Sequence, residues 1–211
     1  MTDYLKYLKF LKNEIHSTIM ATVDENNHPV TCVIDIMLVD SDGLYFLTAK
    51  GKSFYKRLKN NPFVSVTGLK CETTMTSKSI TVRGEVKEIG QTKLTEIFKE
   101  NPYMAEIYPT EESRKALTVF HIYKGNGEFF DLSTKPITRA SFTFGDIKAL
   151  NDGYFINDNC VGCNLCVKNC PQNCIDTEVV PYKIEQNHCL HCGRCKDVCP
   201  NSAVELLNGG K

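Results

Sequence analysis

Cys160-Val-Gly-Cys163-Asn-Leu-Cys166-Val-Lys-Asn-Cys170-Pro171 and Cys189-Leu-His-Cys192-Gly-Arg-Cys195-Lys-Asp-Val-Cys199-Pro200 are two copies of one pattern, CxxCxxCxxxCP. Each cysteine of the first copy is matched by one 29 residues later, so the segment is an internal repeat. Eight of the chain's 11 cysteines lie in the two runs; Cys174 falls between them, and Cys32 and Cys71 lie far upstream. A disulfide scaffold would be a short secreted chain with an even count. Reduced thiolates holding metal fit this clustering better.

The spacing resembles that of bacterial two-cluster ferredoxins, twice over. A tight loop brings three cysteines to three irons of one cubane, while the fourth, farther along the chain, reaches the other cluster. The resemblance implies two 4Fe–4S clusters, one on Cys160, Cys163, Cys166 and Cys199, the other on Cys189, Cys192, Cys195 and Cys170. Pro171 and Pro200 would turn the chain away after each fourth cysteine. Zinc sites usually show paired CxxC motifs with four ligands to one metal, a less specific match than two full runs.

The repeat also sorts the neighbouring residues. Cys174 shifted by 29 falls on Ala203, and Ile175 on Val204, so Cys174 reads as a small packing residue. His188 and His191 flank a run whose cysteine positions are all filled, and they read as peripheral. Phe155 and Ile184 precede the two runs at matched positions and are expected to pack against the clusters.

Upstream, cysteine is scarce and regular patterns appear, with the break near residues 145–153. The domains are expected at 1–145 and 146–211. Tyr4, Leu5, Leu8, Leu11 and Ile15 follow the spacing of an amphipathic helix. Strands are expected at Ser17–Val23, Pro29–Val39, Leu44–Thr48, Phe63–Gly68 and Ile80–Ile89. Leu117–Tyr123 and Glu128–Leu132 read as a hairpin about Lys124-Gly-Asn-Gly127. Ser53–Leu58 and Thr92–Lys99 read as short helices. Seven short strands with close turn signals predict a small antiparallel barrel. The expected fold class is mainly β with helices: a split barrel followed by a small α+β ferredoxin-like domain.

Asp42-Gly-Leu-Tyr-Phe-Leu-Thr-Ala-Lys50 followed by Gly51-Lys-Ser-Phe-Tyr-Lys-Arg-Leu-Lys-Asn-Asn-Pro-Phe-Val-Ser-Val66 resembles the FMN-binding split barrel of the pyridoxamine 5'-phosphate oxidase-like superfamily. There a strand ends in Thr, a short basic loop follows, and a helix ends in Asn-Pro-x-Val. Arg83-Gly84 within its strand is in character, and the resemblance covers about residues 3–132. It implies FMN as cofactor, with Lys52, Ser53 and Lys56 about the phosphate, Thr48 and Lys50 at the strand end leading into that loop, and the backbone of Ala49 toward the isoalloxazine. The strand around Thr31 and Val33 would face the isoalloxazine. Lys52 and Ser53 open a helix, where free N–H groups and the dipole favour an anion. Lys-rich short helices are more often simply solvated. Many relatives carry an Arg on the second strand; Val30-Thr-Cys-Val-Ile-Asp35 has none, so the phosphate would rest on the lysines. Cys32 reads as core.

The resemblance also implies a homodimer with FMN at its interface. Clusters carry single electrons, and a flavin takes two singly or as hydride. Together they suggest electron transfer between an outside donor, the clusters and FMN, ending in reduction of a small organic substrate. The donor would be a redox partner protein or NAD(P)H. A carrier delivering electrons to a protein partner without substrate chemistry is the alternative, as is an NAD(P)H-dependent flavin or nitro reductase. Arg83, Tyr103 and His121 are the candidates for a general acid, and Thr138–Gly145 reads as a linker. Lys+Arg and Asp+Glu number 25 each, which favours neither nucleic acid nor an acidic membrane. No apolar run reaches the roughly 20 residues of a membrane span, and a cytoplasmic location is expected.

Overall fold

The computed structural model describes residues 3–148 and 152–207. Residues 149–151, within the expected domain break, lie outside the described residues. The chain divides into two compact units. The first holds Met1–Lys70, Ser79–Glu128 and Phe142–Lys148; the second holds Cys71–Lys78, Phe129–Ser141 and Ala149–Lys211.

The first unit opens with α1 (Asp3–Phe10), which runs into a π-helical turn at Leu11–Ile15. Leu8 and Leu11 are fully buried, as the helical spacing requires. Then come β1 (Ser17–Val23), β2 (Pro29–Asp40), β3 (Gly43–Ala49), α2 (Ser53–Asn60), β4 (Phe63–Lys70) and β5 (Lys78–Gly90). The short helices α3 (Leu94–Glu100), α4 (Met104–Ile107) and α5 (Glu111–Arg114) lead to β6 (Leu117–Asp131) and β7 (Thr138–Phe144). The sheet order is β3-β2-β1-β4-β5-β6-β7, and β3 also pairs with β6. That last pairing closes six strands into a barrel. At Gly68 an added Cβ would meet Leu11 and Ile15 at 2.8–2.9 Å, so glycine there lets the N-terminal helix lie close on β4.

The strand count matches the expectation, but the membership differs. Lys124-Gly-Asn-Gly127 is no turn: β6 runs unbroken from Leu117 to Asp131. Gly125 and Gly127 serve close approach instead. A Cβ at Gly125 would lie 2.4 Å from the Arg83 carbonyl, and one at Gly127 would strike the Phe142 ring at 2.3 Å. The expected linker Thr138–Gly145 supplies β7, and Phe142 stacks on Tyr7 at 4.9 Å.

The second unit carries β8 (Gly153–Ile156), α6 (Leu165–Lys168), β9 (Ile175–Asp176), β10 (Lys183–Ile184), α7 (Arg194–Asp197) and β11 (Val204–Leu207). β9 pairs with β10 and β8 with β11. The 29-residue repeat is conformational as well as chemical. Left-handed backbone recurs at Gly162 and His191, at Asn164 and Gly193, and at Asn173 and Ser202. The core of this unit joins Ile156, Ile175, Tyr182, Ala203 and Val204 to Cys166 and Cys195. The Ile137 N–H donates to Gln172 Oε1 at 3.1 Å, and His188 Nδ1 pairs with the Ile137 carbonyl at 2.7 Å, tying the residues before β7 into this unit.

Candidate functional site

Two cavities sit in the second unit. One, with about 320 Å³ of empty space, is lined by Cys160, Cys163 and Cys166 of the first run and Cys199 of the second. The other, with about 350 Å³, is lined by Cys189, Cys192 and Cys195 of the second run and Cys170 of the first. The left-handed residues produce this. They fold each CxxCxxC into a loop that turns three side chains inward, and α6 or α7 then carries the chain to the fourth cysteine beside the other loop. At Gly193 a Cβ would sit 2.9 Å from the Tyr154 hydroxyl, on top of a left-handed φ of 77°. Tyr182 braces the first loop through Gly162 O at 3.0 Å and Asn164 Oδ1 at 2.8 Å.

Among the described residues, no group of three or more His, Cys, Asp or Glu converges on a point where one metal ion could bind. Each set of four thiols lines a cavity, the arrangement that a polynuclear cluster needs. None is in a disulfide. Backbone N–H groups are aimed at sulfur: His191 to Cys189 Sγ at 3.4 Å, and Ala203 to Cys199 Sγ at 3.3 Å. Burial raises the pKa of Cys166, and raises that of Cys195 to about 11. Cys189 is drawn down to about 6, chiefly because Cys174 donates its S–H to it.

Cys174 is buried, as a packing residue should be, but it also lines the second cavity, 3.5 Å from Cys170 Sγ. Ile184 lines that cavity; Phe155 points outward, and Ile156 lines the other one. The ladder gives the reason. Ile175 faces Ile184, whereas its repeat partner Val204 faces Ile156. The segment before the second run is thus one residue longer, and a fixed offset of 29 selects the wrong side chain. His188 does not line either cavity.

In the barrel, Thr48 is the second-last residue of β3, opposite Thr118 of β6. Its Oγ1 is buried and is the one buried side-chain polar atom, among the described residues, that lacks a hydrogen-bond partner. A buried hydroxyl without a partner is costly unless something supplies one. The chain then turns through a bond from Lys52 N–H to Ala49 O at 3.1 Å and enters α2. No side chain caps the N-terminus of α2, so its first N–H groups stay available to an anion. Lys50, Lys52, Ser53 and Lys56 are exposed around it.

Arg57, one turn beyond Ser53, is a half-buried cation held beside β1. Its Nε donates to Thr22 Oγ1 at 2.8 Å. Arg57 and Lys52 both pull on the Cys32 thiol electrostatically, against a burial that raises its pKa. Sequence reasoning passed over Arg57, whose partner Thr22 lies 35 residues away. Cys32 faces Met20 of the core. Thr31 and Val33 lie on the opposite, outer face of β2. The β2–β3 ladder covers only Ile36–Asp40, so residues 29–35 pair with β1 alone and half of their backbone groups face the split in the barrel. The orphaned Thr48 hydroxyl, the uncapped helix, the arginine and this open strand edge together fit a phosphorylated flavin.

Of the candidate acids, His121 is buried, stacks on Tyr45 at 4.3 Å and bonds the Asp42 carbonyl at 2.9 Å. Burial lowers its pKa. Arg83 is exposed. Tyr103 belongs to a hydrogen-bonded group with His16 and Asp35.

Residues 6–126 match the pyridoxamine 5'-phosphate oxidase family, and residues 159–203 match the 4Fe-4S dicluster domain. The second region is 37% identical over 49 residues to pyruvate synthase subunit PorD of Methanothermobacter marburgensis, covering 23% of this chain and 57% of that protein. It is 40% identical over 53 residues to a 7Fe ferredoxin of Hydrogenibacillus schlegelii, covering 24% of this chain and 68% of the ferredoxin. The fold is shared with a NimC/NimA family protein of Clostridium acetobutylicum, 21% identical with a TM-score of 0.55 over 66% of this chain and 90% of the other. No helix among the described residues is long and apolar enough to cross a membrane. The chain belongs to the pyridoxamine 5'-phosphate oxidase family, its split barrel fused to a ferredoxin-like 4Fe–4S dicluster domain.

Proposed function

We propose that this chain is an iron–sulfur flavoprotein oxidoreductase. Cys160, Cys163, Cys166 and Cys199 hold one 4Fe–4S cluster, and Cys189, Cys192, Cys195 and Cys170 hold the other. FMN lies against the barrel wall, beside the open edge of β2. Lys52, Ser53 and Arg57 hold its phosphate with the N-terminus of α2, Thr48 donates to it, and the strand around Thr31 and Val33 faces its ring. Lys50 and Lys56 add positive charge around it. The clusters carry single electrons between an outside donor and the flavin, and the flavin supplies electron pairs to a small organic substrate. The protein works as a homodimer in the cytoplasm, fed by a redox partner protein or by NAD(P)H.

The observation that carries this reading is the pair of cavities, each lined by three cysteines of one run and the fourth of the other. The test is anaerobic purification with iron, sulfide and flavin analysis. About eight irons and eight sulfides per chain are expected for two cubanes, with one FMN. Fewer than about six irons would sink the two-cluster assignment. Full iron without flavin would leave the second reading, an electron carrier serving a protein partner. The likeness of the cluster domain to a pyruvate synthase subunit favours that reading over direct use of NAD(P)H.

A further inference from the structure

The outer face of the barrel carries an ordered group of proton-bearing side chains. His16 Nε2 lies 2.9 Å from the Tyr103 hydroxyl, and that hydroxyl donates to Asp35 Oδ2 at 3.1 Å. Ser17 Oγ fixes the other carboxylate oxygen, donating to Asp35 Oδ1 at 2.6 Å. His16 Nε2 is itself 3.6 Å from Asp35 Oδ2, so the carboxylate can pair with an imidazolium. The three groups come from three elements: the end of the π-helical turn, the start of α4 and the middle of β2.

Their position follows from register. β1 and β2 pair without interruption from Ser17↔Asp35 to Val23↔Pro29. Alternation then puts Thr31, Val33 and Asp35 on one face of β2, together with Ser17, Ile19 and Ala21 of β1. Val33 and Ile19 are directly paired on that face, 69% and 56% exposed. An open apolar pair beside a polar hydrogen-bonded group suits a reacting ring with a polar edge.

The backbone supplies an independent sign. His16 has φ 63° and ψ −66°, the sparsely populated γ-turn region that a β-carbon disfavours. The strain is held by bonds on both sides, His16 N–H to Leu11 O and Ile36 N–H to His16 O, each 2.9 Å. Strain of this kind gathers where a side chain must be aimed.

We propose that His16, Tyr103 and Asp35 form a proton relay serving a reduction on the outer face of β1 and β2. The inference rests on the reading of the barrel as an FMN site. A quinone or carbonyl acceptor takes up two electrons and two protons. The electrons originate in an external one-electron donor and arrive through the clusters and the flavin. One proton travels with the electron pair as hydride. The other leaves Tyr103 Oη as an O–H bond forms on the acceptor. His16 Nε2–H passes its own proton to Tyr103, and water reprotonates His16. Asp35 keeps the phenol aligned in the resting site and balances the charge on His16.

The test compares wild type, Tyr103→Phe and His16→Gln, all full length and reconstituted. After chemical reduction, flavin reoxidation is followed with menadione, which takes up protons, and with ferricyanide, which takes up electrons only. Tyr103→Phe should slow the menadione reaction about a hundredfold, the scale of a lost general acid. The loss should appear in kcat with KM unchanged, and the ferricyanide rate should stay within about twofold. His16→Gln should share the selective loss. FMN affinity and iron content should match wild type in both variants. In resting protein the His16 ring-nitrogen signal, identified by its absence from His16→Gln, should shift in Tyr103→Phe. Equal slowing with both acceptors, or no slowing in either variant, overturns the relay. A wild-type protein that binds no FMN removes the flavin reading itself, and the relay with it.

Discussion

The Sγ of Cys174 lies 3.5 Å from the Sγ of Cys170, inside the cavity that the second cysteine run also lines. The corresponding residue beside the other cavity is Ala203, which offers no side-chain donor. The two cavities are therefore alike in their cysteine pattern and unlike in polarity. Hydrogen bonds to cluster sulfurs tune potential. Cys174→Ala should keep the full iron content and lower the potential of the cluster on that side by tens of millivolts. Its partner's potential should stay put. A potentiometric titration followed by electron paramagnetic resonance reads both. Loss of half the iron would instead make Cys174 a ligand.

The crossed lining of the cavities makes a second prediction. Cys199 is close in sequence to Cys195 but shares a cavity with Cys160, Cys163 and Cys166. Cys199→Ala and Cys160→Ala should remove the same cluster, whereas Cys189→Ala should remove the other. The measurement is the spectrum of the cluster that survives in each variant. If Cys199→Ala and Cys189→Ala leave the same spectrum, each run binds its own cluster and the crossed assignment fails.

The cysteine runs were legible because ligand spacing is a short-range property. Three side chains on one loop need only local backbone, and the left-handed residues at Gly162, Asn164, His191 and Gly193 provide it. The barrel was legible as far as alternation reaches. It failed at Gly125 and Gly127, where glycine meant close approach to another strand or ring rather than a turn. Nothing local distinguishes the two uses. Arg57 was missed for the same reason. Its role depends on Thr22, 35 residues away, and on a fold that brings α2 over β1. His16, Tyr103 and Asp35 are brought together by tertiary structure alone.

Thr48 offers a test whose two outcomes point in opposite directions. Thr48→Val keeps the shape and deletes the unpartnered hydroxyl. If that hydroxyl serves the flavin, the variant should bind FMN about tenfold more weakly, a loss of roughly 1.4 kcal/mol, with unchanged or raised stability of the flavin-free protein. Flavin fluorescence quenching and thermal unfolding give the two numbers. A more stable protein with unaltered FMN affinity would show that the orphaned group has no ligand.

Arg57 and Lys56 are neighbours in sequence with different surroundings. Arg57 is half-buried and fixed by Thr22, and Lys56 is exposed. A held guanidinium meets a phosphate with little further loss of freedom, whereas an exposed ammonium is screened. Arg57→Ala should therefore weaken FMN binding at least tenfold, or about 1.4 kcal/mol, and Lys56→Ala hardly at all. Riboflavin, which lacks the phosphate, should bind wild type and Arg57→Ala alike. Equal losses for FMN in the two variants would return the phosphate to a diffuse lysine field.

Glu88 links α2 to the barrel wall. Its carboxylate accepts from Lys59 at 2.9 Å, Tyr55 at 3.2 Å and Thr118 at 2.8 Å, joining α2 to β5 and β6. Burial pushes its pKa up, but the donors Lys59, Thr118 and Tyr55 outweigh it and hold the carboxyl below its ordinary value. A folded-state pKa below the unfolded one adds stability that is complete above the unfolded value, about 4.3 for Glu. That stability drains away as pH falls through the folded value. Glu88→Gln should cost about 2 kcal/mol at neutral pH, the scale of hydrogen bonds to a charged group. The difference from wild type should shrink steadily as pH drops below about 4.3. Denaturant unfolding followed by circular dichroism across that range measures it. Parallel curves for the two proteins would show that the carboxylate's charge adds nothing, and that α2 is held by the packing of Phe54 and Leu58 alone.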